Sequence, residues 1–132
     1  PWQMKTKTII NSGKILAIAT LILGVIHDVA TFTPLIKGEL SCLNPANLNA
    51  MLYMSLICGT SLILSGILIY MLLKKVKEFV FLTTIILIIA IFLALNGMLA
   101  VLFMLDNPFA WITLILNLSL LVISVRLKII LT

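Results

Sequence analysis

His27 is the only histidine of the chain, and Asp28 beside it is one of four acidic residues. An imidazole can serve as general base, metal ligand or proton carrier near neutral pH. A carboxylate next to it suggests a dyad at first sight. Neighbours on a helix, however, are about 100° apart and do not face each other, so either residue must pair across helices or across subunits. The remaining candidates for polar chemistry are Thr31, Cys58, Asn96 and Asn117. One His, one Asp and a distant Cys are too sparse to close a metal site in one chain, and haem ligation through His27, alone or paired across a dimer, is disfavoured though chemically open. Cys42 and Cys58 form no C-x-x-C pair, which leaves quinone-linked disulfide chemistry without support. No Ser/His/Asp order, phosphate-cradling glycine loop or carboxylate pair is present, and the Asn44-Pro45-Ala46 tripeptide occurs once, in a loop. No catalytic set can be assembled, so the sequence leans away from an enzyme.

The elements that carry these residues are strongly apolar. Of 132 residues, 63% are hydrophobic and 10% charged, with a mean hydropathy of +1.31. Several runs reach the roughly 20 residues needed to cross a ~30 Å hydrocarbon core. They are unbroken rather than alternating, which excludes barrel strands. The predicted fold is all-α: one four-helix membrane domain over 15–125, with spans 15–36, 50–73, 79–105 and 109–125. Residues 1–14 form a basic N-terminal segment and 126–132 a tail. Pro1-Trp2-Gln3 precede a Met that reads as a natural start and are set apart from fold reasoning; the following run is too long for a signal peptide.

Short connections force an up-down-up-down bundle. Lys5, Lys7, Lys14, Lys74, Lys75, Lys77, Arg126 and Lys128 fall on one side and Lys37 alone on the other. The positive-inside rule then places both termini in the cytoplasm. The net charge of +5 is expected to hold the cytoplasmic face against anionic lipid; the basic tails are too short to form a nucleic-acid surface. Asn47 or Asn49 is expected to cap the second span.

Small and polar residues mark buried seams where lipid provides no hydrophobic drive. In span one, Gly13, Ala17, Thr20, Gly24, His27, Thr31 and Pro34 recur at alternating intervals of four and three, the pattern of a left-handed crossing. Counting 1.5 Å per residue from the expected outer span ends puts His27, Cys58, Asn96 and Asn117 all at about 12–13 Å. The expectation is one polar layer in the outer half, with Asn96 or Asn117 bonding His27. Asp28 lies off the seam with no evident partner. Pro34 is expected to bend the span and leave the Ala30 carbonyl without its usual donor.

The segment Gly24-Val25-Ile26-His27, the downstream Thr33-Pro34 and the stretch AMLYMSLICGTSLILSGIL at 50–68 resemble small bacterial four-helix membrane proteins with a Gly-x-x-His first helix. That resemblance implies the fold and a bacterial inner membrane, and it lends no activity, because those proteins are uncharacterised. Two functions follow as expectations. One is a self-associating protein that binds or moves a small ligand, ion or proton at His27, Asp28, Thr31, Cys58, Asn96 and Asn117. The other is an interaction protein, such as a partner subunit, assembly factor or immunity-type protein, with a purely structural polar core. The first requires a cavity beside His27; the second requires a closed one.

Overall fold

The computed structural model describes residues 2–132, and the side chains of 5–34, 36–38 and 40–132. It is all-helical over those residues: α1 (Trp2–Thr31), α2 (Pro34–Glu39), α3 (Pro45–Lys75), α4 (Leu82–Phe103) and α5 (Pro108–Leu131). Four stretches, Lys5–Thr31, Pro45–Lys75, Leu82–Phe103 and Pro108–Leu131, are long and apolar enough to cross a membrane. The shortest, at 22 residues, spans about 33 Å, enough for a ~30 Å core. Large apolar side chains such as Ile15, Leu64, Ile88 and Ile115 stand outward at more than half exposure, as lipid contact requires and water would not tolerate.

α1 packs along α3, α3 touches α4, α4 packs along α5, and α5 returns to α1; the diagonal pairs do not meet. The antiparallel sense of α1 and α3 shows in a run of close approaches, Gly13 on Leu73, Ala17 on Gly66 and Gly24 on Gly59. Glycine is needed at the last two crossings. A methyl group on Gly66 would come within 2.6 Å of the Ala17 carbonyl, and one on Gly24 within 2.6 Å of the Gly59 carbonyl. Backbones this close are the device by which membrane helices gain packing.

The first span ends earlier than its apolar pattern predicts, at Thr31 rather than Ile36. Pro34 does not bend a continuous helix. It starts α2, with Thr33 in extended geometry before it, because the residue ahead of a proline is pushed out of the helical region. The Ala30 carbonyl is not orphaned either: the Thr33 backbone N–H (3.0 Å) and hydroxyl (2.7 Å) both donate to it. The cap of α3 is Asn44, not Asn47 or Asn49; its side chain accepts the Asn47 backbone N–H at 2.9 Å. Asn107 caps α5 in the same manner from Phe109. Each of these asparagines precedes a proline at the first helical position, where its missing N–H costs nothing.

The bundle is graded along its length. Ile10, Ala17, Leu62, Ile69, Leu73, Ile86, Leu93, Leu120 and Leu127 belong to the apolar core, which runs from the middle of the bundle to the end that carries the α3–α4 turn. Val76, fully buried in that turn, closes it. Towards the opposite end, which carries the α1–α3 connection and the α4–α5 turn, most buried positions are small or polar, Gly24, Thr31, Gly59, Gly97, Thr113 and Asn117 among them, with Val101 the larger apolar residue. We call these the terminal end and the loop end.

Candidate functional site

The polar side chains cluster in the loop half. The His27 Nε2 lies 3.1 Å from the Ser55 carbonyl and 3.2 Å from the Ser55 hydroxyl. A carbonyl only accepts, so this contact uses the Nε2–H tautomer. Thr31 Oγ1 donates to the His27 carbonyl at 2.9 Å and lies 2.6 Å from Ser55 Oγ. With the Thr31 proton so used, the Ser55 hydroxyl donates to Thr31. The result is a closed loop of three side chains across the α1–α3 seam. The imidazole also stacks on Phe109, ring centres 5.0 Å apart and 34° between planes, which ties α1 to the first turn of α5.

The other polar candidates bridge the remaining seams. The Cys58 thiol points to Asn96 Oδ1 at 3.9 Å, joining α3 to α4. Asn117 Nδ2 donates to the Leu93 carbonyl at 2.8 Å, joining α5 to α4. Gly97 makes room for this bond, since its α carbon faces Leu114 and Asn117. Each of the four seams therefore carries one of the residues singled out from sequence.

These residues do not meet in one layer. His27 is level with Phe109, at the start of α5, while Asn117 lies two helical turns farther in, about 12 Å along the axis. The early end of α1 explains this. His27 is four residues from Thr31, about 6 Å deep rather than 13 Å. Its partner is Ser55, not Asn96 or Asn117. Ser55 is one of three serines on α3, and nothing in the sequence distinguishes it from Ser61 or Ser65.

Asp28 occupies the rim of the α1–α3 seam. Its Oδ2 accepts the Thr60 hydroxyl at 3.2 Å. Its Oδ1 is enclosed and has no donor among the described residues. That oxygen rests against the bare α carbon of Gly59, in the space where any side chain would sit. Asn117 Oδ1 is the other enclosed acceptor without a donor. Thr20, Thr113 and Ser124, buried elsewhere along the seams, each donate to the carbonyl four residues earlier, the usual solution for a hydroxyl inside an apolar helix pair. Thr60 and Gly59 were not singled out as partners of Asp28 from sequence. No apolar periodicity marks an acceptor that packs against a glycine.

Two open grooves mark the surface of the described residues. One, about 390 Å³, lies at the loop end beside Cys42 and Met51. The other, about 580 Å³, lies at the terminal end beside Lys5 and Arg126. Neither is lined by His27, Asp28, Cys58, Asn96 or Asn117. Compared with family models, with curated proteins and with solved structures, the chain matches none.

Proposed function

We propose that this multi-pass membrane protein takes up a proton or a small monovalent cation at the Asp28 carboxyl. In this reading the bundle runs up-down-up-down in a bacterial inner membrane, with the terminal end in the cytoplasm. The distribution of lysine and arginine supports that orientation, with Lys37 alone at the loop end. The observation that carries the functional reading is the enclosed Asp28 Oδ1, which has no donor. An unmatched carboxyl oxygen in a low-dielectric seam is costly, and what it lacks is a positive or hydrogen-donating ligand. The neighbourhood is rich in oxygen: the Gly24 and Gly59 carbonyls lie at the same crossing, and Thr60 supplies a hydroxyl. The titratable groups that feel its charge are His27 on α1 and Cys58 on α3, each already bonded to a neighbouring helix.

A hydrophobic carbodiimide, which modifies intramembrane carboxyl groups in their protonated form, tests this reading. Asp28 is expected to be labelled in the folded protein and to lose labelling as pH rises. Protection by sodium or lithium at fixed pH identifies a cation site; absence of protection with retained pH dependence identifies a proton site. An Asp28 that stays unreactive at every pH until the protein is denatured contradicts both.

The second reading is an interaction protein with a structural polar core. Its support is the pairing of His27, Cys58, Asn96 and Asn117 across successive seams, one tie per seam. It predicts that exchanging the segment 37–49 destroys function while Asp28→Asn leaves it intact.

A further inference from the structure

The terminal-end groove is built from two helices and carries two basic side chains that make no ion pair among the described residues. Lys5 and Thr8 come from α1, Arg126 from α5, and Ile9 and Ile130 form its apolar walls around about 580 Å³. Among the described residues the only ion pair is Lys75 with Glu78. Asp28, Glu39 and Asp106 all lie in the loop half, and Glu78, the acidic residue of this end, stands in the α3–α4 turn paired with Lys75.

Depth matters as much as charge. A ~30 Å core takes about 20 helical residues. Counted from Thr31 along α1, that core ends near Asn11, so Lys5 and Thr8 stand in the headgroup layer. Counted from Pro108 along α5, it ends near Leu127, so Arg126 stands at the boundary. Gly13 faces Ile123, and the antiparallel register then sets Arg126 about level with Ile9, one helical turn deeper than Lys5. The groove therefore offers a guanidinium and an ammonium at staggered depth, a hydroxyl-bearing residue, and an apolar wall on each helix.

We infer that this groove holds one anionic glycerophospholipid, its phosphate between Arg126 and Lys5 and its glycerol and first acyl methylenes against Ile9 and Ile130. A guanidinium takes two phosphate oxygens at once, and the lysine adds a mobile point charge. Basic pockets between membrane helices are suited to acidic headgroups. The apolar walls and the interfacial depth favour a lipid over a free phosphate ion. The inference shares with the Asp28 reading only the placement of this end at a membrane surface.

Native mass spectrometry of the detergent-purified full chain tests it, with phosphatidylglycerol, phosphatidylcholine and inorganic phosphate as probes. The expected result is one retained phosphatidylglycerol per chain and weak retention of phosphatidylcholine. Affinity for phosphatidylglycerol should fall on the order of tenfold or more in Lys5→Gln/Arg126→Gln and remain unchanged in Lys74→Gln/Lys77→Gln, which removes equal charge elsewhere. Arg126→Lys, which keeps the charge and loses the fork, should lie between them, and circular dichroism verifies folding of each variant. The single exposed change Lys5→Gln serves if the double variant misfolds, with a loss of several-fold expected and no loss counting against the site. Equal loss in the Lys74/Lys77 variant, equal retention of phosphatidylcholine, or displacement by millimolar phosphate overturns the inference. Asp28→Asn should leave lipid retention unaltered, so this test and the carbodiimide test fail separately.

Discussion

Gly59 and Asp28 pack as a unit: the carboxyl fills the volume that a side chain at residue 59 would need. Gly59→Ala must therefore displace Asp28, with an expected loss of about 1–3 kcal/mol of stability, the usual range for overpacking. Asp28→Ala should recover part of that loss, and a double-mutant cycle in detergent would show non-additivity between the two sites. Gly13→Ala is the internal contrast. Its methyl group meets the flexible end of Leu73 at 2.9 Å, which can turn aside, so its cost should be the smaller. Asn117 gives a different prediction. It makes one bond through Nδ2 and leaves Oδ1 enclosed without a donor. Asn117→Leu, of similar volume, removes the unmatched acceptor together with the bond, so thermal unfolding should change little. A collapse of the fold in that variant would mean that Oδ1 has a ligand.

At the scale of elements, the α1 seam was legible because small residues at three-four spacing have one physical use in lipid. Gly13, Ala17, Thr20, Gly24 and Thr31 are all buried, and His27 is partly so. The same logic reached the α5 stripe of Ala110, Thr113, Asn117 and Ser124. On α3 the small residues Gly59, Ser65 and Gly66 are buried together with Leu62, Ile69 and Leu73, so small residues alone do not mark that face. Depth was not legible. It depended on where α1 ends, and an apolar run across Phe32 and Pro34 conceals the break that Thr33 and Pro34 make together. The helix starts at the loop end rest on Asn44 and Asn107. Asn107→Ala should cost about 1 kcal/mol, measured as a lowered unfolding midpoint, because the Phe109 N–H loses its acceptor. The serine side chain can reproduce that bond, so Asn107→Ser should restore most of the loss.

At the scale of the whole molecule, the grading of the bundle separates two tasks. Large apolar residues at the terminal end supply packing, and small and polar residues at the loop end leave the seams tight but chemically rich. Charge adds direction. Cys42 is exposed at the loop end and Cys58 lies within the bundle. A membrane-impermeant thiol reagent applied to intact cells should modify Cys42 and spare Cys58, and a cysteine introduced at Lys77 should react only after the membrane is opened. Reaction of the Lys77 position from outside would reverse the orientation without altering the fold.

Asp28 remains the centre of the functional account, and its carboxyl can be observed directly. Infrared difference spectroscopy between low and high pH, on the protein in lipid, reports the carbonyl stretch that a carboxyl group shows only when protonated. The account predicts, beside the bands of Glu39, Glu78 and Asp106, a component that disappears as the pH rises, is diminished by a competing cation if the site takes one, and is missing from the difference spectrum of Asp28→Asn. A difference spectrum that is the same in the wild type and in Asp28→Asn would contradict it.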